Sequence, residues 1–374
     1  MDFHSVETEF QEAVAQGVFP GAVVLVGKDE EVVYENAFGY CSLIPEKTTM
    51  QANTIFDLAS LTKPLATTVA IMLLVREKKM RLDDHVTRFL PTFGVFGKSL
   101  ATLRQLLNHS SGLPAWKPYY EQVIKSEKSG KINFIASRAA KNYVFEQIHR
   151  EKPLNSPGTE SLYSDLGFMI LGEVVEVLTG SSLDHFCQER IFKALDLRST
   201  AFVDLTQRET RRLPAEEVIA PTENCPWRKR MLCGEVHDDN AYAMGGVAGH
   251  AGLFSSARDL HRLIVRLNRC FRGRDSFLPQ CVVQKFFAKD ESIKNSTYAL
   301  GWDTPSPNKS ASGTCFSPRS VGHLGFTGTS IWWDLEKNCH VILLTNRVHP
   351  SRKNDKITAF RPYIHDLIMK VLLP

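Results

Sequence analysis

Residues 56–63 read Phe56-Asp57-Leu58-Ala59-Ser60-Leu61-Thr62-Lys63, where an extended segment gives way to a helical pattern. Ser60 and Lys63 are three residues apart, a spacing that places both side chains on one face of a helix. A serine hydroxyl needs such a neighbour to become a nucleophile at neutral pH. The alternative is that Ser60 caps the helix and Lys63 is exposed in its first turn. The stretch therefore predicts either a nucleophilic serine or a helix cap.

The same S-x-x-K pattern occurs a second time, at Ser306-Pro307-Asn308-Lys309. Pro307 and the loop-like composition around it disfavour the helix that would align the serine with the lysine. Local context therefore selects Ser60 over Ser306 as the candidate nucleophile.

A second polar cluster, Tyr163-Ser164-Asp165, precedes an apolar helical pattern. Residues two apart in an extended segment point the same way, so Tyr163 and Asp165 could face one cleft. Alternatively, Tyr163 lies in the core and Asp165 caps the following helix.

A third cluster, His323-Leu324-Gly325-Phe326-Thr327-Gly328, opens a β-rich segment near the end of the chain. Its glycines allow another backbone to approach closely, while His323 and Thr327 supply polar groups. The alternative is a glycine-rich edge strand with an incidental histidine.

In this order, the three clusters resemble the motifs of the serine β-lactamase and penicillin-binding-protein superfamily, specifically its class C-like branch. That branch also holds esterases, D-aminopeptidases and D-Ala-D-Ala carboxypeptidases. The resemblance covers nearly the whole chain and includes four further segments: Gly17-Val18-Phe19-Pro20-Gly21, Leu107-Asn108-His109-Ser110-Ser111-Gly112-Leu113-Pro114, Gly252-Leu253-Phe254-Ser255-Ser256-Ala257 and Leu344-Thr345-Asn346-Arg347.

The resemblance implies a catalytic role for several residues. Ser60 would attack an acyl carbon and form an acyl-enzyme, while Lys63 and Tyr163 relay the proton. The backbone N–H groups of Ser60 and Phe326 would hold the oxyanion. No metal or organic cofactor is expected. The expected substrate-binding residues are Asp165, His323, Gly325, Thr327, His237 and Asp238.

Three features qualify that resemblance. True β-lactamases usually have lysine where this chain has His323, so efficient β-lactam hydrolysis is not expected. Asp165 replaces the usual asparagine with a group that only accepts hydrogen bonds, and it could serve as the counter-ion of Lys63. A metal site at His237, Asp238 and His250 is an alternative that no H-x-x-x-H spacing supports.

Hydrophobic patterning predicts the architecture. Apolar, β-rich runs flank polar turns at 28–30 and 336–338, which predicts a β-hairpin near each end of the chain. Helical periodicity follows at residues 65–79, 103–107, 166–178, 183–195 and 357–373, with Gly180 as a helix stop. We expect an α/β (α+β) β-lactamase-like domain over residues 1–374. Its sheet lobe would cover about 1–58 and 318–374, and its helical lobe about 59–317.

Bulk composition excludes several classes of protein. The 45 basic and 41 acidic residues give a net charge of only +4, which does not indicate nucleic-acid binding, and the densest basic run, 208–212, is expected to be a solvated surface. Apolar runs are too short for a membrane span. The segment Gly97-Lys98-Ser99 ends like a phosphate loop but lacks the glycine that the pattern needs at Thr92, and no G-x-S-x-G elbow occurs.

The eight cysteines show no C-x-x-C pair, and the first residues lack the pattern of a signal peptide, so we expect reduced thiols in the cytoplasm. The predicted function is a serine acyl hydrolase acting on a small ester, peptide or β-lactam-like substrate, as an esterase, a D-Ala peptidase or a weak β-lactamase. The alternative is a non-catalytic penicillin-binding or sensor protein on the same fold.

Overall fold

The computed structural model describes residues 1–130, 133–207 and 218–373, so the basic run at 208–212 lies outside the described residues. The strands are β1 (Gly21–Lys28), β2 (Glu31–Ser42), β3 (Thr48–Thr49), β4 (Phe56–Asp57), β5 (Ala201–Phe202), β6 (Asn224–Cys225), β7 (Arg230–Met231), β8 (Leu253–Ser255), β9 (Ser320–Leu324), β10 (Ser330–Asp334) and β11 (Cys339–Thr345).

The α-helices are α1 (His4–Ala15), α2 (Val69–Arg76), α3 (Leu103–Leu107), α4 (Tyr119–Lys128), α5 (Arg138–Arg150), α6 (Asp165–Thr179), α7 (Leu183–Cys187), α8 (Asp239–Ala243), α9 (Ala257–Phe271), α10 (Gln280–Phe287) and α11 (Ile357–Leu372). Shorter 3₁₀ segments cover Ala59–Leu61, Val86–Arg88 and Pro91–Gly97, and π-helical segments cover Lys63–Thr68 and Gln188–Phe192.

Both ends of the chain form one antiparallel sheet, in the strand order β3-β2-β1-β11-β10-β9. Strand β1 pairs with β11 along its length, from Ala22 opposite Thr345 to Lys28 opposite Cys339. The two predicted hairpins are confirmed, and so is the architecture in which a largely helical region is inserted between them. The division into lobes stays a prediction.

The sheet is buried on both faces, which explains the continuous apolar runs of its central strands. Val23 and Leu25 of β1 face the core formed with the helical region, while Val24 and Val26 face the core formed with α1 and α11. The two terminal helices meet at Phe10 and Phe360, and other aromatic contacts extend this second core. Because successive side chains of a strand point to opposite faces, the terminal helices pack on one face of the sheet and the helical region packs on the other.

Some predicted helix bounds were wrong. The predicted helix at 65–79 begins as a π-helical segment containing Pro64 and ends at Arg76. The predicted helix at 183–195 divides into α7 and the π-helical segment Gln188–Phe192. Apolar periodicity does not separate α from π geometry when the segment is buried on most sides. Gly180 ends α6 with a φ of 66°, as predicted.

One segment, Ala59–Arg76, is long and apolar enough to cross a membrane by length and composition, yet 83% of it is buried inside the fold. It therefore packs as a core helix. The eight cysteines form no disulfide.

Candidate active site

Ser60 lies in the 3₁₀ segment Ala59–Leu61 that follows β4. Ala59 has a φ of 48°, an unusual value for a residue with a Cβ atom. The Ala59 N–H donates to the buried Asp57 carboxylate at 2.8 Å, and the Thr62 hydroxyl donates to the Ala59 carbonyl at 2.7 Å. These bonds hold a strained turn at the candidate nucleophile, as is common at functional sites.

Lys63 is fully buried beside Ser60. Its Nζ lies 2.9 Å from Ser60 Oγ, 2.7 Å from Asp165 Oδ1 and 3.2 Å from the His250 carbonyl. Burial opposes the charge of Lys63, but the Asp165 carboxylate and the Tyr163 hydroxyl outweigh burial and raise the pKa of Lys63. Lys63 is therefore an ammonium at neutral pH, with Asp165 as its counter-ion.

Lys63 and Ser60 both lie close enough to the Tyr163 hydroxyl to lower its pKa. Burial raises the pKa of Tyr163 above that of an exposed tyrosine, against the opposing effect of Lys63. The Lys63 ammonium also lies 4.9 Å from the centre of the Tyr163 ring. Ser60, Lys63 and Tyr163, which belong to two distant motifs, thus lie together in one corner of the site. Tyr163 is a neutral phenol there.

The segment 163–165 is held by His109, which sequence reasoning had quoted only as part of a longer signature. His109 has a φ of 61°, and its Nδ1 accepts a hydrogen bond from the Ser164 N–H at 3.0 Å. Ser164 caps α6 by accepting from the Gly167 N–H at 3.2 Å. Asp165, the first residue of α6, is therefore not the cap, and its carboxylate remains available to Lys63.

His323 lies on the edge strand β9, with its ring centroid 5.8 Å from that of Tyr163. Its Nδ1 lies 2.8 Å from the Leu324 carbonyl. Burial, followed by the nearby Lys63 charge, lowers the pKa of His323 to about 3. The imidazole is neutral at physiological pH and does not replace the positive charge of a lysine at this position.

Two arginines hold the turn that follows β9. Arg361 Nη2 donates to the carbonyls of Gly325 at 3.2 Å and Thr329 at 3.0 Å. Arg347 Nε donates to the Phe326 carbonyl at 2.8 Å. Gly325 is required because a Cβ there would lie 2.5 Å from the Leu58 carbonyl oxygen. The turn is thus fixed tightly against the segment that precedes Ser60.

Thr327 is placed differently from the other expected binding residues. Its buried hydroxyl donates to the Asp57 carbonyl at 2.7 Å, so it ties the turn to β4.

His237 is also buried, and its backbone N–H donates to the Asp57 carboxylate at 2.6 Å. The His237 ring stacks on the Phe326 ring with a centroid distance of 5.7 Å.

Asp238 caps α8, since its carboxylate accepts from the Ala241 N–H at 2.7 Å. The same carboxylate lies 2.9 Å from His250 Nε2, and this partner, against the effect of burial, lowers the pKa of Asp238. Within the described parts of the chain, no group of three or more His, Cys, Asp or Glu side chains could hold a metal ion. His237, Asp238 and His250 are therefore not arranged as a metal site.

A cleft of about 600 Å³ opens in front of Ser60. The predicted residues that line it are Ser60, Tyr163, Asp165, His237, Asp238, His323, Gly325 and Phe326. Sequence reasoning missed further lining residues, namely Trp116, Tyr298, Asp303, Arg352 and Arg361. Arg347 also lines the cleft and lies in a quoted signature, whereas Tyr298 and Asp303 belong to no motif.

Comparisons with known proteins agree with this arrangement. The Beta-lactamase family model matches residues 6–361. A Salmonella typhimurium protein named as a candidate D-alanyl-D-alanine carboxypeptidase is 32% identical over 379 residues, which cover 95% of this chain and 84% of that protein.

Two solved structures share the fold. A penicillin-binding protein homologue from Pyrococcus abyssi superposes with a TM-score of 0.74 at 23% identity, over 100% of this chain and 78% of its own. EstCE1, described as a hydrolase with promiscuous acyltransferase activity, has a TM-score of 0.70 at 22% identity, over 96% of this chain and 97% of its own. Because the family model spans nearly the whole sequence, the chain belongs to the Beta-lactamase family of serine hydrolases.

Proposed function

We propose that the chain is a cofactor-free acyl hydrolase in which Ser60 forms an acyl-enzyme with a small ester or amide. One observation carries the proposal: a buried Lys63 ammonium, neutralised by Asp165, lies 2.9 Å from Ser60 Oγ. A buried lysine that only stabilised the fold would not need a serine hydroxyl at the wall of an open cleft. This geometry meets the requirement for an activated serine.

In the proposed acylation step, Tyr163 carries the proton. Ser60 Oγ bonds to the acyl carbon and the Ser60 proton passes to Tyr163 Oη. The Tyr163 proton passes to the leaving oxygen or nitrogen as the bond from that atom to the acyl carbon breaks. Lys63 remains an ammonium and stabilises the negative charge that develops on both oxygens. Water then attacks the acyl-enzyme and gives its proton to Tyr163, which returns its own proton to Ser60.

The proposed oxyanion site consists of the Ser60 and Phe326 N–H groups. A trans peptide directs its C=O and N–H in opposite directions. The Gly325 carbonyl faces Arg361 and the Ala59 carbonyl faces the Thr62 hydroxyl, so the next N–H in each case points away from these partners. This arrangement supports preorganised donors for the acyl oxygen.

For the substrate, we propose a small ester or a peptide, with D-alanyl peptides as the first class to test. The name of the Salmonella relative supports the peptide class. The neutral His323 supplies no cation for a substrate carboxylate, so we propose that β-lactams react slowly. We also propose a cytoplasmic location, which the absence of disulfide bonds between the described cysteines supports.

The test is the intact mass of wild-type and Ser60→Ala protein after exposure to a fluorophosphonate, p-nitrophenyl acetate and a β-lactam in parallel. We expect a Ser60-dependent mass increase with the phosphonate, and ester turnover that falls to background in Ser60→Ala. Ser306→Ala is the matched control, because it removes the serine of the second S-x-x-K segment. An unchanged adduct in Ser60→Ala would contradict the proposal. Acyl adducts from the ester and the β-lactam that never clear would favour a non-catalytic binding protein.

A further inference from the structure

Asp303 is a cleft residue outside the corner formed by Ser60, Lys63 and Tyr163. It pairs with Gly322 through two backbone hydrogen bonds of 2.8 and 2.9 Å, directly before His323. Tyr298 pairs with Asp303 on its other side. Residues 298 and 303 therefore extend the sheet beyond β9 and present their side chains along the same cleft.

Asp303 differs from the other aspartates of this cleft. Asp165 pairs with Lys63, Asp238 with His250, and Asp239 with two arginines. In the described residues, Asp303 has no such cation. Its Oδ1 accepts from Thr297 Oγ1 at 2.7 Å and from the Thr304 N–H at 2.9 Å, bonds that fix the carboxyl group without neutralising it.

The absence of a cation has an energetic consequence. Burial raises the pKa of Asp303 to about 6, against the lowering effect of its two hydrogen bonds. The carboxylate is thus ionised at neutral pH in an environment that disfavours its charge. A positively charged group that entered the cleft would relieve this cost.

Tyr298, the backbone partner of Asp303, lies among other aromatic rings. The Tyr298 ring centroid lies 6.3 Å from that of Tyr163 and 4.7 Å from that of His109. Burial strongly lowers the pKa of His109, as it does for His323, so neither imidazole repels a cation at neutral pH. Aromatic faces and a carboxylate together are typical of sites that bind ammonium groups.

We infer that Asp303 and the Tyr298 ring form an ammonium-binding subsite, and that the preferred acyl substrates are aminoacyl compounds with a free amine. The inference rests on the proposed hydrolase function, because that function makes the bound aminoacyl compound a substrate. Binding of the ammonium group itself does not require turnover. The amine would lie on the His323 side of the cleft, and its N–H groups would donate to Asp303.

The test is calorimetric binding of D-alanine methylamide and N-acetyl-D-alanine methylamide at pH 7.5, in a Ser60→Ala background that cannot consume them. We expect the free amine to bind at least about tenfold tighter than the acetylated compound, because only the amine is charged. Adding Asp303→Asn should bring the two affinities within about twofold of each other, since the amide keeps its hydrogen-bond acceptor and loses the charge.

Asp366→Asn is the matched control, because Asp366 also accepts backbone N–H groups, from Thr314 and Cys315, at 2.6 and 2.8 Å. Asp366 does not line the cleft, and this variant should keep the preference for the free amine. If the parent protein binds both compounds equally, or neither, the inference is wrong whether or not Asp303→Asn folds. Failure of the hydrolase proposal would appear separately, as a missing Ser60-dependent adduct in the mass assay.

Discussion

Lys63 and Lys98 are both fully buried, yet their surroundings give them opposite properties. Lys63 contacts a hydroxyl and a carboxylate, and the carboxylate raises its pKa. Among the described residues, Lys98 donates only to the backbone carbonyls of Val95, His149 and Glu151, and burial lowers its pKa to about 8. Burial alone therefore does not identify a functional lysine. The counter-ion and the half-buried cleft hydroxyl beside it do.

Lys63→Met should give the largest effect on chemistry. The substitution keeps an unbranched chain of similar length and removes the ammonium that stabilises Ser60 and Tyr163. We expect the rate of Ser60 phosphonylation to fall at least about 1,000-fold, measured by intact mass against time. Circular dichroism and thermal unfolding would verify the fold. A rate within about tenfold of wild type would mean that Lys63 does not act on Ser60.

Asp165→Asn tests whether the counter-ion causes the difference between Lys63 and Lys98. Without the carboxylate, burial should lower the pKa of Lys63. If the chemistry needs the ammonium, the alkaline limb of the pH profile of ester turnover moves to lower pH, because Lys63 then loses its proton sooner. Asp165→Glu keeps the charge and should retain the wild-type limb.

A different role for Lys63, as a neutral base, predicts a different result for Asp165→Asn. If Lys63 had to be neutral to act as a base, the acid limb would move to lower pH and turnover at neutral pH would rise. That outcome would reverse the roles of Lys63 and Tyr163 given under the proposed function, while it left Ser60 as the nucleophile.

The contrast between Lys63 and Lys98 also shows which features of the structure the sequence predicts. Continuous apolar runs beside polar turns predicted both hairpins, because a strand buried on two faces needs apolar side chains at every position. The order of the motifs predicted that four residues lie together, namely Ser60, Lys63, Tyr163 and Asp165. Each of them lies beside a helix start or an extended segment that the local sequence indicates.

Other features depend on tertiary packing and leave no local pattern. Lys98 belongs to a segment that imitates a phosphate loop, and only the fold places its ammonium on the carbonyls at the end of α5. Asp303 lies in an unremarkable sequence, and its lack of a cation among the described residues follows from what packs around it. Thr327 was expected to bind substrate, and no local pattern indicates that its hydroxyl donates to the Asp57 carbonyl.

Lys98→Met should have the smallest effect on chemistry and act on stability instead. It leaves three carbonyls without their charged donor, and we expect the free energy of unfolding to fall by about 1–3 kcal/mol. The phosphonylation rate of the folded protein should stay within about twofold of wild type, which separates this variant from Lys63→Met.

The pH dependence of that loss has a definite sign. Because the pKa of Lys98 is lower in the folded protein than in the unfolded chain, the unfolded chain binds more protons above pH 8, and wild-type stability gains as pH rises. Lys98→Met lacks this contribution, so the difference in unfolding free energy should widen between pH 8 and about pH 10. Urea titrations of both proteins at these two pH values would measure it. A constant difference would mean that Lys98 keeps its proton throughout and that carbonyl groups alone can hold a buried ammonium.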